Sequence, residues 1–290
     1  MSLTGPEDYW ELTLAVEGDA AEIWTARLAD AGFEMFLEED PGLKAYVPAS
    51  QYQAEPIQAL VHEAQGATPL FGGWQHIPAQ NWNQTWENHF EPVRIADQLY
   101  VRAQHHAPDP AARLELVIEP KMSFGTGHHA TTSQVAAFQL GLPHQGATVV
   151  DAGSGTGILA ILAEKLGAAR VIAFDHESWA TENARENAAN NGCTRVEVSQ
   201  ADLETFEPGV LADGVLANIT RNLVITYLPR FAQWLKPGGW LLTSGYYEDD
   251  LDAVRQAAEA EGLAYMGHTV QEKWCAAHFG KPTQNSAVGP

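Results

Sequence analysis

Thr148-Val-Val-Asp-Ala-Gly-Ser-Gly-Thr-Gly-Ile-Leu-Ala160 decides how this chain folds. An apolar run that ends at an acid, Asp151, has the composition of a buried strand. Gly153, Gly155 and Gly157 follow at alternate positions and open onto an apolar helical run from Ile158 to Leu166. Strand, tight glycine loop and helix form the first turn of a doubly wound α/β sheet, whose ligands bind at the carboxyl ends of the strands. The same rhythm continues downstream. Arg170 to Asp175, Arg195 to Ser199, Ala212 to Ala217 and Trp240 to Ser244 are strand-like, and Ala180 to Asn190 and Leu223 to Leu235 are helical. Leu263 to Val270 and Trp274 to Phe279 have no helix between them and are expected to close the sheet as an antiparallel pair. These runs predict a seven-stranded, Rossmann-like sheet.

The glycine spacing bears on the ligand. A dinucleotide loop is G-x-G-x-x-G and offers its helix terminus to a pyrophosphate. Here the spacing is G-x-G-x-G and an acid precedes it, which disfavours phosphate. A carboxylate suits a ligand with a cationic amino-acid portion, and S-adenosylmethionine carries both an ammonium and a sulfonium. The next strand ends at Asp175, where a ribose diol is gripped in such sheets. After the third strand, Asp202 is placed either near the adenine amino group or as a helix cap. Singly, Asp151 and Asp175 could be a turn former and a cap; together with the glycines they specify the cofactor more closely.

Upstream, Tyr9 to Val16, Ala20 to Ala31, Phe33 to Leu37, Leu43 to Val47, Glu55 to Ala64 and Thr68 to Trp74 alternate as βαββαβ. Two helices on one face of a four-stranded antiparallel sheet, a ferredoxin-like α+β module, would bury their apolar positions. The expected domains are residues 1–74 for this module, 75–92 for a linker helix and 93–290 for the larger sheet. Within the linker, Trp82, Trp86 and Phe90 recur every four residues, a stripe expected to pack on its own protein. Val93 to Arg102 and Leu114 to Ile118 are expected as strands.

Charge and composition exclude several classes. The 290 residues carry a formal charge of -21 and no basic patch, so direct nucleic-acid binding is not expected. No apolar stretch is long enough to cross a bilayer, and acids replace a basic secretory start, which predicts a cytoplasmic protein. Cys193 and Cys275 are too few for a disulfide framework. His128 and His129 are adjacent and diverge, with no third ligand nearby, so no metal is expected. Residues 1–70 hold thirteen carboxylates against Arg27 and Lys44, which account for eleven of the twenty-one net negative charges. Such an arm serves either solubility or attraction of a basic partner.

Two further stretches narrow the chemistry. Asn218 ends the fourth strand, where the methyl-transfer site lies. Ile219 and Thr220 follow it where Pro-Pro-Tyr would mark a planar amide or nucleobase amine as acceptor. Met122-Ser-Phe-Gly-Thr-Gly-His-His-Ala-Thr-Thr132 supplies glycines, hydroxyls and an aromatic, Phe124, in a loop placed to cover the cofactor.

With Phe124 to Thr132, Asp151 to Gly157 and Asn218-Ile219 in this order behind a ferredoxin-like module, the chain resembles the ribosomal protein L-eleven methyltransferases (PrmA) over nearly its whole length. The resemblance implies methyl transfer from S-adenosylmethionine to amines of a basic ribosomal protein, both lysine side chains and an N-terminal α-amine. It further implies that Thr132, Gly153, Asp175 and Asn218 contact the cofactor. As an amide that both donates and accepts, Asn218 is also expected to act in catalysis by positioning the amine and the methionine end. Ala130, Ser154 and Glu177 depart from the family's usual Pro, Cys and Asp. Leu216-Ala-Asn-Ile-Thr-Arg-Asn222 and Ser244-Gly-Tyr-Tyr247 have the look of a sub-branch. The alternatives are a methyltransferase for another protein or a small molecule, or a cofactor-binding ribosome-assembly factor without catalysis.

Overall fold

A computed structural model describes residues 8–16, 19–33, 35–39, 42–52, 71–77, 91–119, 121 and 123–283. The chain divides into two compact units, Met1–Thr85 and Trp86–Pro290.

In the first unit, β1 (Tyr9–Leu14), α1 (Asp19–Asp30), β2 (Met35–Glu39), β3 (Gly42–Pro48) and β4 (Phe71–Ile77) follow one another. The strands form an antiparallel sheet in the order β2-β3-β1-β4, the arrangement of a ferredoxin-like module. Alternation along β1 buries Leu12 and Leu14 against Trp24 and Leu28 of α1, with Leu43, Ala45 and Val47 completing this core. Gly42 turns the chain at φ +147°, where a β-carbon would stand 2.6 Å from the Leu14 carbonyl oxygen. The helix expected over Glu55 to Ala64 and the linker aromatics Trp82, Trp86 and Phe90 lie outside the described residues.

The second unit opens with β5 (Val93–Ile95), β6 (Leu99–Arg102) and β7 (Leu114–Val117), a small sheet in that order. The single strand expected from Val93 to Arg102 is instead a hairpin. Ala96 and Asp97 turn it with φ of 49° and 54°, the two positive angles of a tight hairpin turn. Next come α2 (Ala130–Gln139), β8 (Thr148–Ala152), α3 (Ile158–Lys165), β9 (Arg170–Asp175), α4 (Ser178–Asn190) and β10 (Val196–Gln200). The chain continues through β11 (Ala212–Asn218), α5 (Arg221–Trp234), β12 (Leu235–Tyr247), α6 (Leu251–Ala260), β13 (Ala264–Gln271) and β14 (Trp274–Gly280).

These seven strands pair in the order β10-β9-β8-β11-β12-β14-β13. The first five are parallel; β14 runs antiparallel between β12 and β13, so the final hairpin joins the sheet by its later strand. Helices cover both faces. Val149, Leu216 and Leu242 point into the core shared with α2, α3 and α4. Their neighbours Val150, Val215 and Leu241 point into the core shared with α5 and α6. Winding reverses between β8, which leads to β9, and β11, which leads to β12. The crevice at the carboxyl ends of β8 and β11 is therefore where this architecture places a ligand.

Candidate active site

The glycine loop is stapled to β9. Gly153 and Ser154 N–H groups donate to the Phe174 carbonyl at 2.9 and 3.0 Å. The Gly155 N–H donates to Asp175 Oδ2 at 2.9 Å, and Asp175 Oδ1 accepts the Glu177 N–H at 3.1 Å. Asp175 is thus held rigidly, with lone pairs left over for a ligand.

The loop from Phe124 to Gly127 lies against the glycine loop. Thr156 N–H donates to the Phe124 carbonyl at 2.9 Å, and the Thr156 hydroxyl donates to the Gly125 carbonyl. This contact requires Gly155, since a β-carbon there would stand 2.2 Å from the Phe124 oxygen. The chain leading into the loop is gripped by α4. Asn187 and Asn191 amides pair with the Glu119 and Val117 backbone, accepting from each N–H at 2.9 Å, and Asn183 donates to the Glu119 carbonyl at 3.2 Å. Asparagines four residues apart serve here as a surrogate strand.

Between these elements lies a cavity of about 610 Å³, within the range of small-molecule sites. Of the residues expected to bind cofactor, Phe124, Gly153, Gly155, Asp175, Asp202 and Asn218 line it. Asp151 and Thr132 do not; they stand behind its wall. Thr132 is fully buried and its Oγ1 accepts from Asn218 Nδ2 at 3.2 Å, which leaves Asn218 Oδ1 without a hydrogen bond. Asp151 is 1% exposed and neither carboxylate oxygen has a well-formed hydrogen bond. Burial pushes its carboxyl up to about 7, the Ala160 N–H at the start of α3 opposing and the Asp175 charge adding to the rise. Asp202 is exposed, and its backbone carbonyl receives the Thr205 and Phe206 N–H groups, so its turn-forming part is played by the main chain while its side chain faces the cavity.

The cavity also takes in residues that motif reading did not assign. His129 caps α2 through Nδ1, which accepts the Thr131 N–H at 3.3 Å, and its ring lies 5.2 Å from Phe124 and 4.7 Å from Trp274. His128 turns the other way, its Nε2 at 2.7 Å from the Glu91 carbonyl. Among the described residues no three His, Cys, Asp or Glu side chains converge as metal ligands. Gly245, at φ +94°, lets β12 close on Ile219, whose oxygen would lie 1.9 Å from a β-carbon there. The Gly245-Tyr-Tyr run is visible in sequence; Trp274 lies beyond every cofactor motif in the chain, with no local signal to mark it.

Asp175, Asp202 and Glu204 line the cavity, and neither lysine nor arginine does. Such a wall rejects phosphate and favours an adenosine that carries positive charge, with the unsatisfied Asp151 carboxyl beneath the loop adding to that preference. The residues present fit S-adenosylmethionine, and the class is that of the methyltransferases using this donor.

Residues 12–282 match the family model of the ribosomal protein L11 methyltransferases (PrmA). Over 275 residues the chain is 40% identical to the ribosomal protein L11 methyltransferase of Porphyromonas gingivalis, covering 93% of this chain and 92% of the relative. It is 36% identical over 260 residues to that of Bacteroides fragilis, with 89% and 93% covered. A solved ribosomal protein L11 methylase from Lactobacillus delbrueckii subsp. bulgaricus, 24% identical, shares the fold with a TM-score of 0.61 over 67% of this chain and all of that chain. The chain belongs to the ribosomal protein L11 methyltransferase family.

Proposed function

We propose that this enzyme methylates lysine side chains and the N-terminal α-amine of the large-subunit ribosomal protein for which its relatives are named, and that it does so in the cytoplasm. The carrying observation is Asn218. Its Nδ2 is anchored on Thr132, so its Oδ1 stands in the cavity wall as an acceptor with no partner. An amine brings the N–H donor that this oxygen lacks.

When bound, S-adenosylmethionine supplies an electrophilic methyl on a sulfonium; the remaining work belongs to the chain. Asp175 would grip the ribose diol, Asp202 would face the adenine, and Gly153 and Gly155 would admit the methionine portion against the backbone. Asp151, below the loop, would give up its proton as the ammonium arrives and so offer it charge, and Phe124 would cover the site. A protonated amine cannot attack, and a free lysine holds its proton to a pKa of about 10.4. Ile219, Leu223, Tyr227 and Trp274 line the cavity and exclude water from the approaching amine, which disfavours its charged form. Asn218 Oδ1 then accepts one N–H and turns the nitrogen lone pair toward the methyl carbon. Catalysis by orientation requires no strong base, and the proton passes to solvent at the mouth of the cavity.

The test is transfer of labelled methyl from the cofactor to the purified ribosomal protein, followed by mass spectrometry of the product. Label on its amines is expected, and Asn218→Ala should lower kcat by about 100-fold with cofactor binding largely kept. Full turnover by that variant would remove Asn218 from catalysis, and absence of label from the unaltered enzyme would overturn the acceptor assignment.

A further inference from the structure

A second compartment, of about 370 Å³, adjoins the cofactor cavity and shares Thr220, Gly245 and Trp274 with it. Gly153, Asp175 and Asp202 line only the larger cavity, so the extra space lies outside the part assigned to the cofactor. It is built from Thr220-Arg-Asn222 and Gly245-Tyr-Tyr247, brought together where β11 and β12 end.

Its walls are of two kinds. Tyr247 is 50% exposed and its ring lies 4.3 Å from that of Trp274, forming an aromatic ledge at the border of the two spaces. The rest of the lining carries planar polar groups. Arg221 Nε stands 3.0 Å from Asp250 Oδ1, and the two side chains remain 43% and 29% exposed. Asn222 follows directly, exposed at the start of α5. A guanidinium donates, a carboxylate accepts and a carboxamide does both. That set complements the alternating C=O and N–H groups of an extended peptide, while an aromatic ledge suits the alkyl stem of a lysine. A free small-molecule amine would leave the compartment without use.

We propose that the compartment formed by Arg221, Asn222, Tyr247, Asp250 and Trp274 is a subsite for the polypeptide flanking the acceptor amine. It holds an extended segment by its backbone amides while the lysine stem crosses the Tyr247–Trp274 ledge into the cavity. This rests on the protein-amine reading given above. Glu248 and Asp249, exposed beside Asp250, add negative charge that favours a basic segment.

Asn222→Ala and Tyr247→Leu change exposed side chains and leave the Arg221–Asp250 pair intact, so folding should survive them. Each variant is compared with the unaltered enzyme in steady-state methylation of the intact ribosomal protein, in direct titration of that protein, and in titration of the cofactor. The expected result is a KM and a Kd for the protein acceptor raised about tenfold, with kcat and cofactor affinity unchanged. Variants that keep the parental KM and Kd, or lose kcat and cofactor affinity instead, would overturn the subsite while the acceptor assignment stands. An unaltered enzyme that neither binds nor methylates the ribosomal protein would overturn the acceptor assignment, and the subsite with it.

Discussion

At the scale of single residues, the group with the largest consequence is one that touches no ligand surface. Asp151 is buried beneath the glycine loop and holds its proton up to about pH 7, mainly through burial. In the unfolded chain the same carboxyl ionises near the ordinary value of about 3.9. Between those two values the native state binds more protons than the unfolded one, so this residue makes stability fall as pH rises from about 4 to about 7 and then level off. Asp151→Asn removes the titration. The stability difference, variant minus parent, should therefore grow in the variant's favour by a few kcal/mol, on the order of 3, between pH 4.5 and pH 8 in urea unfolding. A difference flat with pH would mean that Asp151 is ionised in the native state throughout. The same variant should bind S-adenosylmethionine more weakly, because an amide no longer offers charge to the ammonium. A destabilising acid kept at this position is the pattern expected of a residue that serves binding at the expense of the fold.

At the scale of elements, the site depends on two loops that share one contact. Gly155 illustrates it: φ +53° asks for a residue without a β-carbon, and the Phe124 carbonyl occupies the space such a carbon would take. Gly192 has a similar φ of +65° with nothing within 4 Å, so it isolates the conformational term. Gly192→Ala should cost about 1 kcal/mol in chemical denaturation, and Gly155→Ala about 2 kcal/mol or more together with a loss of cofactor affinity, because the Phe124 loop must lift. Equal losses at both positions would mean that the loop contact contributes nothing. The sheet itself was readable from sequence, because parallel strands buried on both faces leave apolar runs such as Thr148 to Asp151 and Arg170 to Asp175. The β5–β6 hairpin was not, since Ala96 and Asp97 adopt positive φ with no glycine to announce a turn. Motifs pointed to residues at the cavity but not to which side of its wall they occupy. Thr132 and Asp151 stand behind it, a matter of packing between α2, β8 and β11 that neighbouring residues do not encode. Trp274 enters the site only because β14 inserts beside β12, and its register against Tyr247 is set by a bulge at Ser244 to Tyr246.

At the scale of the whole molecule, charge is distributed unevenly, with eleven of twenty-one net negative charges in the first seventy residues. A field of that size acts on a basic partner before contact and is screened beyond a Debye length of about 8 Å at physiological salt. Asp175, the acid proposed for the ribose, is only 9% exposed, and salt screens such a site far less. The two encounters should therefore separate. Raising ionic strength from about 0.05 to about 0.5 M should lower kcat/KM for the ribosomal protein by about tenfold or more, with kcat and cofactor affinity changed little. Glu38→Gln combined with Glu39→Gln removes two of the first unit's charges and should lower kcat/KM at low salt while flattening the salt dependence. Stopped-flow association of the labelled ribosomal protein gives the rate directly. An association rate indifferent to both salt and these substitutions would assign the acidic surface to solubility, leaving acceptor recognition to short-range contacts at the mouth of the cavity.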